Sequence, residues 1–137
     1  MNHFLETLAK PFENLAPWLL RLSLGISFVI HGASKFPLPP EKMVTWFESM
    51  NIAFPEAITS LVALGEVVAG IGIIIGGFIP KDFGSLITRL SGGAVMVIMA
   101  GAFYLAHSDW FITTKLFTSE QIFLFIIGTY FAIKGNN

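Results

Sequence analysis

The stretch ITSLVALGEVVAGIGIIIGGFI, residues 58–79, decides the fold class of this chain. It lies between Pro55 and Pro80 and contains one charged residue, Glu66. A helix of about 20 predominantly apolar residues is long enough to cross the hydrocarbon core of a bilayer, which is about 30 Å thick. The stretch therefore predicts a transmembrane helix over about residues 55–79.

Three further apolar segments lie on either side of this one. They cover about residues 17–36, 84–107 and 116–134, and each has a length that can span the membrane. Only 12% of all residues are charged, against about 25% in soluble proteins. The sequence therefore predicts an all-α fold, an integral membrane four-helix bundle that forms a single membrane domain over residues 1–137.

Short interfacial helices are expected outside the four spans. Residues 1–16 place apolar side chains at helical spacing opposite charged ones, a pattern typical of a helix lying in the membrane interface. A loose N-terminal tail is the alternative. A second short helix is predicted after Pro40, within residues 41–50.

Charge and composition exclude several classes of function. The net charge of −1 gives no basic surface for nucleic acid, so the expected surroundings are the lipid bilayer and other proteins. The chain has no cysteine, which excludes a disulfide, a thiolate nucleophile and cysteine ligation of a metal. The three histidines are far apart in sequence, so no metal site is predicted. Five Lys and Arg residues on the side of the termini against three on the other favour cytoplasmic termini.

Ionisable residues inside the predicted spans are the candidate catalytic groups. Glu66 lies near the middle of its span, and His31 is expected at a similar depth on the preceding helix. Lys35 follows His31 by one turn, and His107 ends the third span on the same side of the membrane. We expect Glu66 and His31 to exchange protons, and Lys35 and His107 to polarise a carbonyl group. The alternative is that Glu66 is an ion-pair partner that fixes helix packing.

Aromatic and small residues suggest two further roles. Trp46 and Trp110 lie in the connections on one face, where they form either an aromatic belt or a lid that binds a cofactor between the helices. Gly72 and Gly76 are expected to allow close helix packing. Arg21 and Arg89 lie four or five residues inside their spans and are interpreted as structural, with an inward-facing anion site as the alternative.

The segments LLRLSLGISFVIHGASKF, WFESMNIAFPE and LVALGEVVAGIGIIIGGF together resemble the DoxX family of small bacterial membrane proteins. The resemblance covers about residues 17–133. The residues that carry the family pattern are Arg21, Gly32, Lys35, Pro55, Glu66 and Gly70, and His107 and Glu120 look like the histidine that ends helix three and the acid that opens helix four. The C-terminal KGNN departs from the longer tail common in the family.

The resemblance implies a multi-pass protein of the bacterial inner membrane. The family is named for its similarity to a small subunit of a thiosulfate:quinone oxidoreductase, and some members are linked to defence against oxidative stress. We therefore expect a membrane subunit of a quinone-linked oxidoreductase, with a quinone as the candidate cofactor and a soluble redox enzyme or second subunit as the partner. A non-enzymatic scaffold that recruits soluble oxidative-stress enzymes is the alternative, a small carrier is a third reading, and a homo-oligomer is compatible with each.

Overall fold

The computed structural model describes residues 2–137, and within that range it contains helices and connections but no strand. Two short 3₁₀ segments, Lys10–Phe12 and Ser108–Ile112, lie between the α-helices. The α-helices are α1 Asn2–Ala9, α2 Leu15–Ala33, α3 Glu41–Ser49, α4 Pro55–Phe78, α5 Lys81–Ala106, α6 Lys115–Thr118 and α7 Glu120–Lys134.

Three of these helices, α2, α4 and α5, are long and apolar enough to cross a membrane. The predicted fourth span over residues 116–134 is not continuous, because Ser119 has an extended backbone with φ −101° and ψ 153°. The helix that follows has 15 residues and is about 22 Å long. A helix of this length falls short of the roughly 17 residues that a perpendicular span needs. The predicted four-helix transmembrane bundle is therefore confirmed only for its first three helices.

Glycine contacts bring successive long helices together. A Cβ atom on Gly70 of α4 would lie 2.6 Å from the carbonyl oxygen of Gly25 in α2. On α5, a Cβ atom on Gly92 would lie 2.7 Å from the carbonyl oxygen of Gly128 in α7. Both distances are too short for a real side chain, so the backbones approach each other directly there, as small residues allow in membrane helix packing.

The order of packing is therefore α2 on α4, α4 on α5, and α5 on α7, with weaker contact between α7 and α2. We call the end of the assembly at which α2 and α5 terminate the upper end, and the opposite end the lower end. The apolar core extends between these two ends. It consists of Leu24, Phe28, Ala69, Ile73, Val95, Met99, Phe103, Leu124 and Phe131.

The two short amphipathic helices behave differently. In α1, Phe4, Leu5 and Leu8 are more than half exposed, so this helix does not bury its apolar face against the rest of the protein. Helix α3 packs against α4 and buries Val44 and Phe47. The predicted helices at these two positions are thus formed, and only α3 is packed on the body of the protein.

Candidate functional site

An ion pair between Lys35 and Glu66 lies at the upper end. Glu66 is on α4, with its side chain 10% exposed, and its Oε2 is 2.5 Å from the Nζ of Lys35. The Nζ also donates to the carbonyl oxygen of His31, at 3.1 Å. Lys35 lies just beyond the end of α2, and its long aliphatic chain lets the ammonium reach the buried carboxylate. The structure thus places the ammonium of Lys35, which was expected one turn above His31, in direct contact with the carboxylate of Glu66.

A cavity of about 120 Å³ lies beside this ion pair, between the helices. Three of the four predicted catalytic residues, His31, Glu66 and His107, line it. The other lining residues are Phe28, Met99, Ala102, Gln121 and Leu124. Every long helix contributes to the wall, so one space collects polar side chains that are far apart in sequence. Lys35 does not line the cavity, and it is connected to the cavity by its ion pair with Glu66.

The two histidines of the cavity are held by different partners. His31 Nε2 lies 3.0 Å from Oε1 of Glu120, at the first residue of α7. His107 stacks on Trp110 with ring centroids 3.7 Å apart and an interplanar angle of 19°. Neither contact is with Glu66, so the imidazoles share its cavity and their positions are fixed by other groups.

The two tryptophans predicted to bind a cofactor occupy different places. Trp110 packs against the apolar core and orients His107, so it contributes to the site through that imidazole. Trp46 is 37% exposed on α3, where its ring meets Phe47 at 5.3 Å between centroids. Neither ring is among the residues that line the cavity of His31, Glu66 and His107.

A second polar cluster surrounds Arg21 at the lower end. Its guanidinium donates to the carbonyl oxygen of Ile73, to Thr88 Oγ1 at 3.0 Å and to Asn136 Oδ1 at 2.8 Å. It also lies over the ring of Phe131, 4.7 Å from the centroid. Arg21 therefore points inward and joins all four long helices, and each of these contacts is to a neutral group.

Other residues interpreted as structural also lie at helix contacts. Arg89 donates to three carbonyl oxygens at the C-terminal end of α7, Ala132, Ile133 and Lys134, where a cation also interacts favourably with the helix dipole. Gly72 faces Ser91 and Gly76 faces Thr88, so both glycines lie where α4 meets α5.

Four polar residues of these clusters were not singled out from the sequence as site residues: Thr88, Glu120, Gln121 and Asn136. Glu120 entered only through the family resemblance, although its place near the start of the fourth apolar segment puts it at the same end as His107. Gln121 follows it and gives no separate signal. Asn136 accepts from Arg21 and donates its amide to the carbonyl oxygen of Gly76 at 2.7 Å. Asn136 lies beyond the last apolar segment, so the hydropathy pattern could not predict that it contacts Arg21.

Comparison with known proteins identifies the family. A model of the DoxX family matches residues 16–108, more than half of the chain. The chain belongs to the DoxX family. The match includes Lys35, Glu66 and His107 and ends before Glu120, so the acid of α7 lies outside the part of this DoxX protein that the family model covers. No curated protein and no solved structure matches the chain.

The family and the apolar helices together make this a membrane protein. Within residues 2–137, no group of three or more His, Asp or Glu side chains is placed to hold a metal ion. The polar groups around the cavity at the upper end are the Lys35–Glu66 ion pair, the imidazoles of His31 and His107, the carboxylate of Glu120 and the amide of Gln121.

Proposed function

We propose that this DoxX protein is a membrane subunit of a redox system in the bacterial inner membrane, and that it binds the ring of a quinone between its helices. The observation that carries the proposal is the single cavity that His31, Glu66 and His107 share. Ionisable groups within the membrane-spanning part of a protein are costly and mark a site or a pathway. A cavity that collects three of them from separate helices favours a binding site.

The size of the cavity supports a ring as its occupant. At about 120 Å³ it is below the usual range of about 300 to 1,000 Å³ for pockets that enclose a whole ligand. An engineered cavity of about 150 Å³ in another protein holds a benzene ring. The cavity therefore fits one six-membered ring, and the remainder of a larger molecule would extend into the lipid.

The side chains fit the chemistry of such a ring. When bound, a quinone accepts two electrons and two protons to give the quinol. The imidazole of His107 and the amide of Gln121 can donate hydrogen bonds to a carbonyl oxygen in the cavity, and the apolar walls of Phe28, Met99 and Leu124 exclude water. The carboxylate of Glu66, paired with the ammonium of Lys35, is the candidate group for exchanging protons with the ring. The electrons would come from a soluble redox enzyme or a second subunit, since the chain has no cysteine.

The proposed membrane arrangement has α2, α4 and α5 as full spans. The segment of α6 and α7, residues 115–134, completes the bundle as a fourth and interrupted crossing. Both termini lie in the cytoplasm, so the cavity is near the outer face, and α1 lies along the cytoplasmic surface with its exposed apolar face in the lipid. Because the chain has no cysteine, single cysteines at Asn14 and Ser108 can test this arrangement. A membrane-impermeant maleimide added to spheroplasts should label position 108 and spare position 14, and the reverse result would invert the arrangement.

The test of function is whether a quinone co-purifies with the protein. The protein is extracted from native membranes in mild detergent, and bound quinone is measured by mass spectrometry for wild type, Glu66→Gln and Glu56→Gln. Glu56 is the matched control, because it is an exposed acid in the first turn of the same helix. We expect about one quinone per chain in wild type and Glu56→Gln and at least a tenfold loss in Glu66→Gln. Absence of quinone from well-folded wild type would contradict the proposal.

A scaffold that recruits soluble enzymes is the second candidate. The observation that favours it is that Glu66 already has a cationic partner 2.5 Å away, as expected for a residue that only fixes packing. In that case Glu66→Gln lowers stability, no quinone is found, and a soluble enzyme is captured equally well by wild type and variant.

A further inference from the structure

The contact between α2 and α7 differs from the other three contacts between long helices. The glycines of α2, Gly25 and Gly32, face α4, and Gly128 of α7 faces α5. The surfaces that permit close backbone approach are therefore turned away from the α2–α7 contact. These two helices meet through side chains, and they pack less extensively than the other neighbouring pairs.

Polar side chains join α2 and α7 at each end of the region where the two helices pack together. At the lower end, Arg21 lies over Phe131 and donates to Asn136, and its side chain is buried. At the upper end, the His31–Glu120 pair is well exposed, with side-chain exposures of 44% and 61%. An exposed ion pair contributes little to stability, typically less than about 1 kcal/mol, so the upper end is the weaker of the two.

The cavity lies directly behind this weaker end. His31 and Phe28 of α2 and Gln121 and Leu124 of α7 supply half of the residues that line it. Separation of the upper parts of α2 and α7 would open the cavity sideways, toward the surface that the lipid covers. Each of the other pairs has a direct backbone contact at some point along its length: Gly32 of α2 meets α4, Gly76 of α4 meets α5, and Gly92 of α5 meets α7.

We propose that the upper part of the α2–α7 contact is a lateral opening, through which a ring carrying a long apolar chain enters the cavity from the bilayer. The contact between His31 Nε2 and the carboxylate of Glu120 is the latch of this opening. The inference rests on the proposed function for the identity of the ligand, a quinone with its apolar chain left in the lipid. The opening itself follows from the packing of the helices and can be tested without any ligand.

The experiment measures distances between spin labels in lipid nanodiscs. The chain has no native cysteine, so pairs of introduced cysteines are labelled specifically. The first pair, Ile30→Cys with Phe123→Cys, spans α2 and α7, and the second, Val97→Cys with Phe123→Cys, spans α5 and α7. All three positions are more than half exposed, so the labels do not disturb the core. Each pair is examined in wild-type background, in Glu120→Gln and in Glu56→Gln.

Glu120→Gln removes the charge of the latch and keeps the shape of the side chain. Glu56→Gln is its control, since both acids lie in the first turn of a long helix. We expect Glu120→Gln to shift the α2–α7 distances to a longer and broader distribution and to leave the α5–α7 distances unchanged. We expect no shift for either pair in Glu56→Gln.

Two results would overturn the lateral opening. One is an α2–α7 distribution in Glu120→Gln that superimposes on that of wild type. The other is an equal lengthening of both pairs, which would indicate general loosening of the fold. Neither result bears on whether quinone co-purifies with the protein, so failure of the opening and failure of the proposed function are distinguished.

Discussion

The two polar clusters of this DoxX protein use charge in opposite ways. At the lower end, Arg21 is buried and bound only by neutral groups, including Thr88 and Asn136, and it joins all four long helices. At the upper end, acids and bases pair around a cavity, and one pair, His31 with Glu120, is well exposed. A guanidinium bound by neutral acceptors is a fixed structural contact, whereas carboxylates and imidazoles are the side chains that most often transfer protons in enzymes. The lower cluster therefore joins the helices, and the upper cluster is the one that we propose as the site of the chemistry.

The largest expected effect comes from breaking the lower cluster. Arg21→Ala removes donors to Ile73, Thr88 and Asn136 and leaves buried acceptors without partners. We expect it to lower the free energy of unfolding by about 3 kcal/mol, measured by thermal or denaturant unfolding in detergent. Arg89→Ala is the control, because its exposed side chain contacts only the end of α7, and it should cost less than about 1 kcal/mol. Equal losses in the two variants would remove the distinction between them.

A second difference between the two ends lies in backbone packing along α5. Gly92→Ala places a Cβ atom against the backbone of α7, 2.6 Å from the nitrogen of Ala132, and should destabilise the protein by about 2 kcal/mol. Gly101→Ala, on the upper part of the same helix, meets no atom within 4 Å and should be neutral or slightly stabilising. Unfolding of the two variants under the same conditions checks this. Tolerance of alanine at position 92 would show that the lower end is not tightly packed.

The upper ion pair allows stability to be separated from function. Glu66→Gln leaves the ammonium of Lys35 without its carboxylate and should cost about 1.5 kcal/mol, since both side chains are largely buried. Adding Lys35→Met removes the unpaired charge, and the double variant should recover most of the lost stability. If Glu66 is needed for quinone binding, the double variant should remain without quinone. Recovery of quinone together with stability would assign the pair to packing alone.

The smallest effect on stability is expected for the exposed pair. Glu120→Gln should change the free energy of unfolding by less than about 0.5 kcal/mol, because both partners are well exposed. The same variant should nevertheless alter the distance between α2 and α7. A stability loss as large as that of Glu66→Gln would mean that the His31–Glu120 pair is part of the rigid frame.

The upper cluster was more accessible to prediction than the lower one. Depth within an apolar span placed Glu66 and His31 at one level and Lys35 one turn above them, because helical rise converts residue number into height. The depth of a residue in the membrane does not say toward which neighbouring helix its side chain points. The contact between His31 and Glu120 was therefore not predicted. The contacts of Asn136 lie outside any apolar segment and depend on tertiary packing.

The fourth apolar segment shows where hydropathy is insufficient. Residues 116–134 are apolar enough to be predicted as one span. The helix is interrupted at Ser119 by an extended backbone conformation, which an average hydropathy over the segment cannot detect. Trp46 is a similar case. Its helix was predicted, but Val44 and Phe47 form the buried face, which leaves Trp46 partly exposed.

The contacts of Arg21 also set the order in which the protein can mature during synthesis. Its acceptors are Ile73, Thr88 and Asn136, which are 52, 67 and 115 residues further along the chain. The first transmembrane helix therefore enters the membrane with a cation whose partners do not yet exist, and each later helix delivers one of them. Until residue 136 has been made and reaches the lower end, the guanidinium needs water or a lipid headgroup as a substitute. The turn that follows α7 thus supplies the last of the polar contacts made by the guanidinium of the first span.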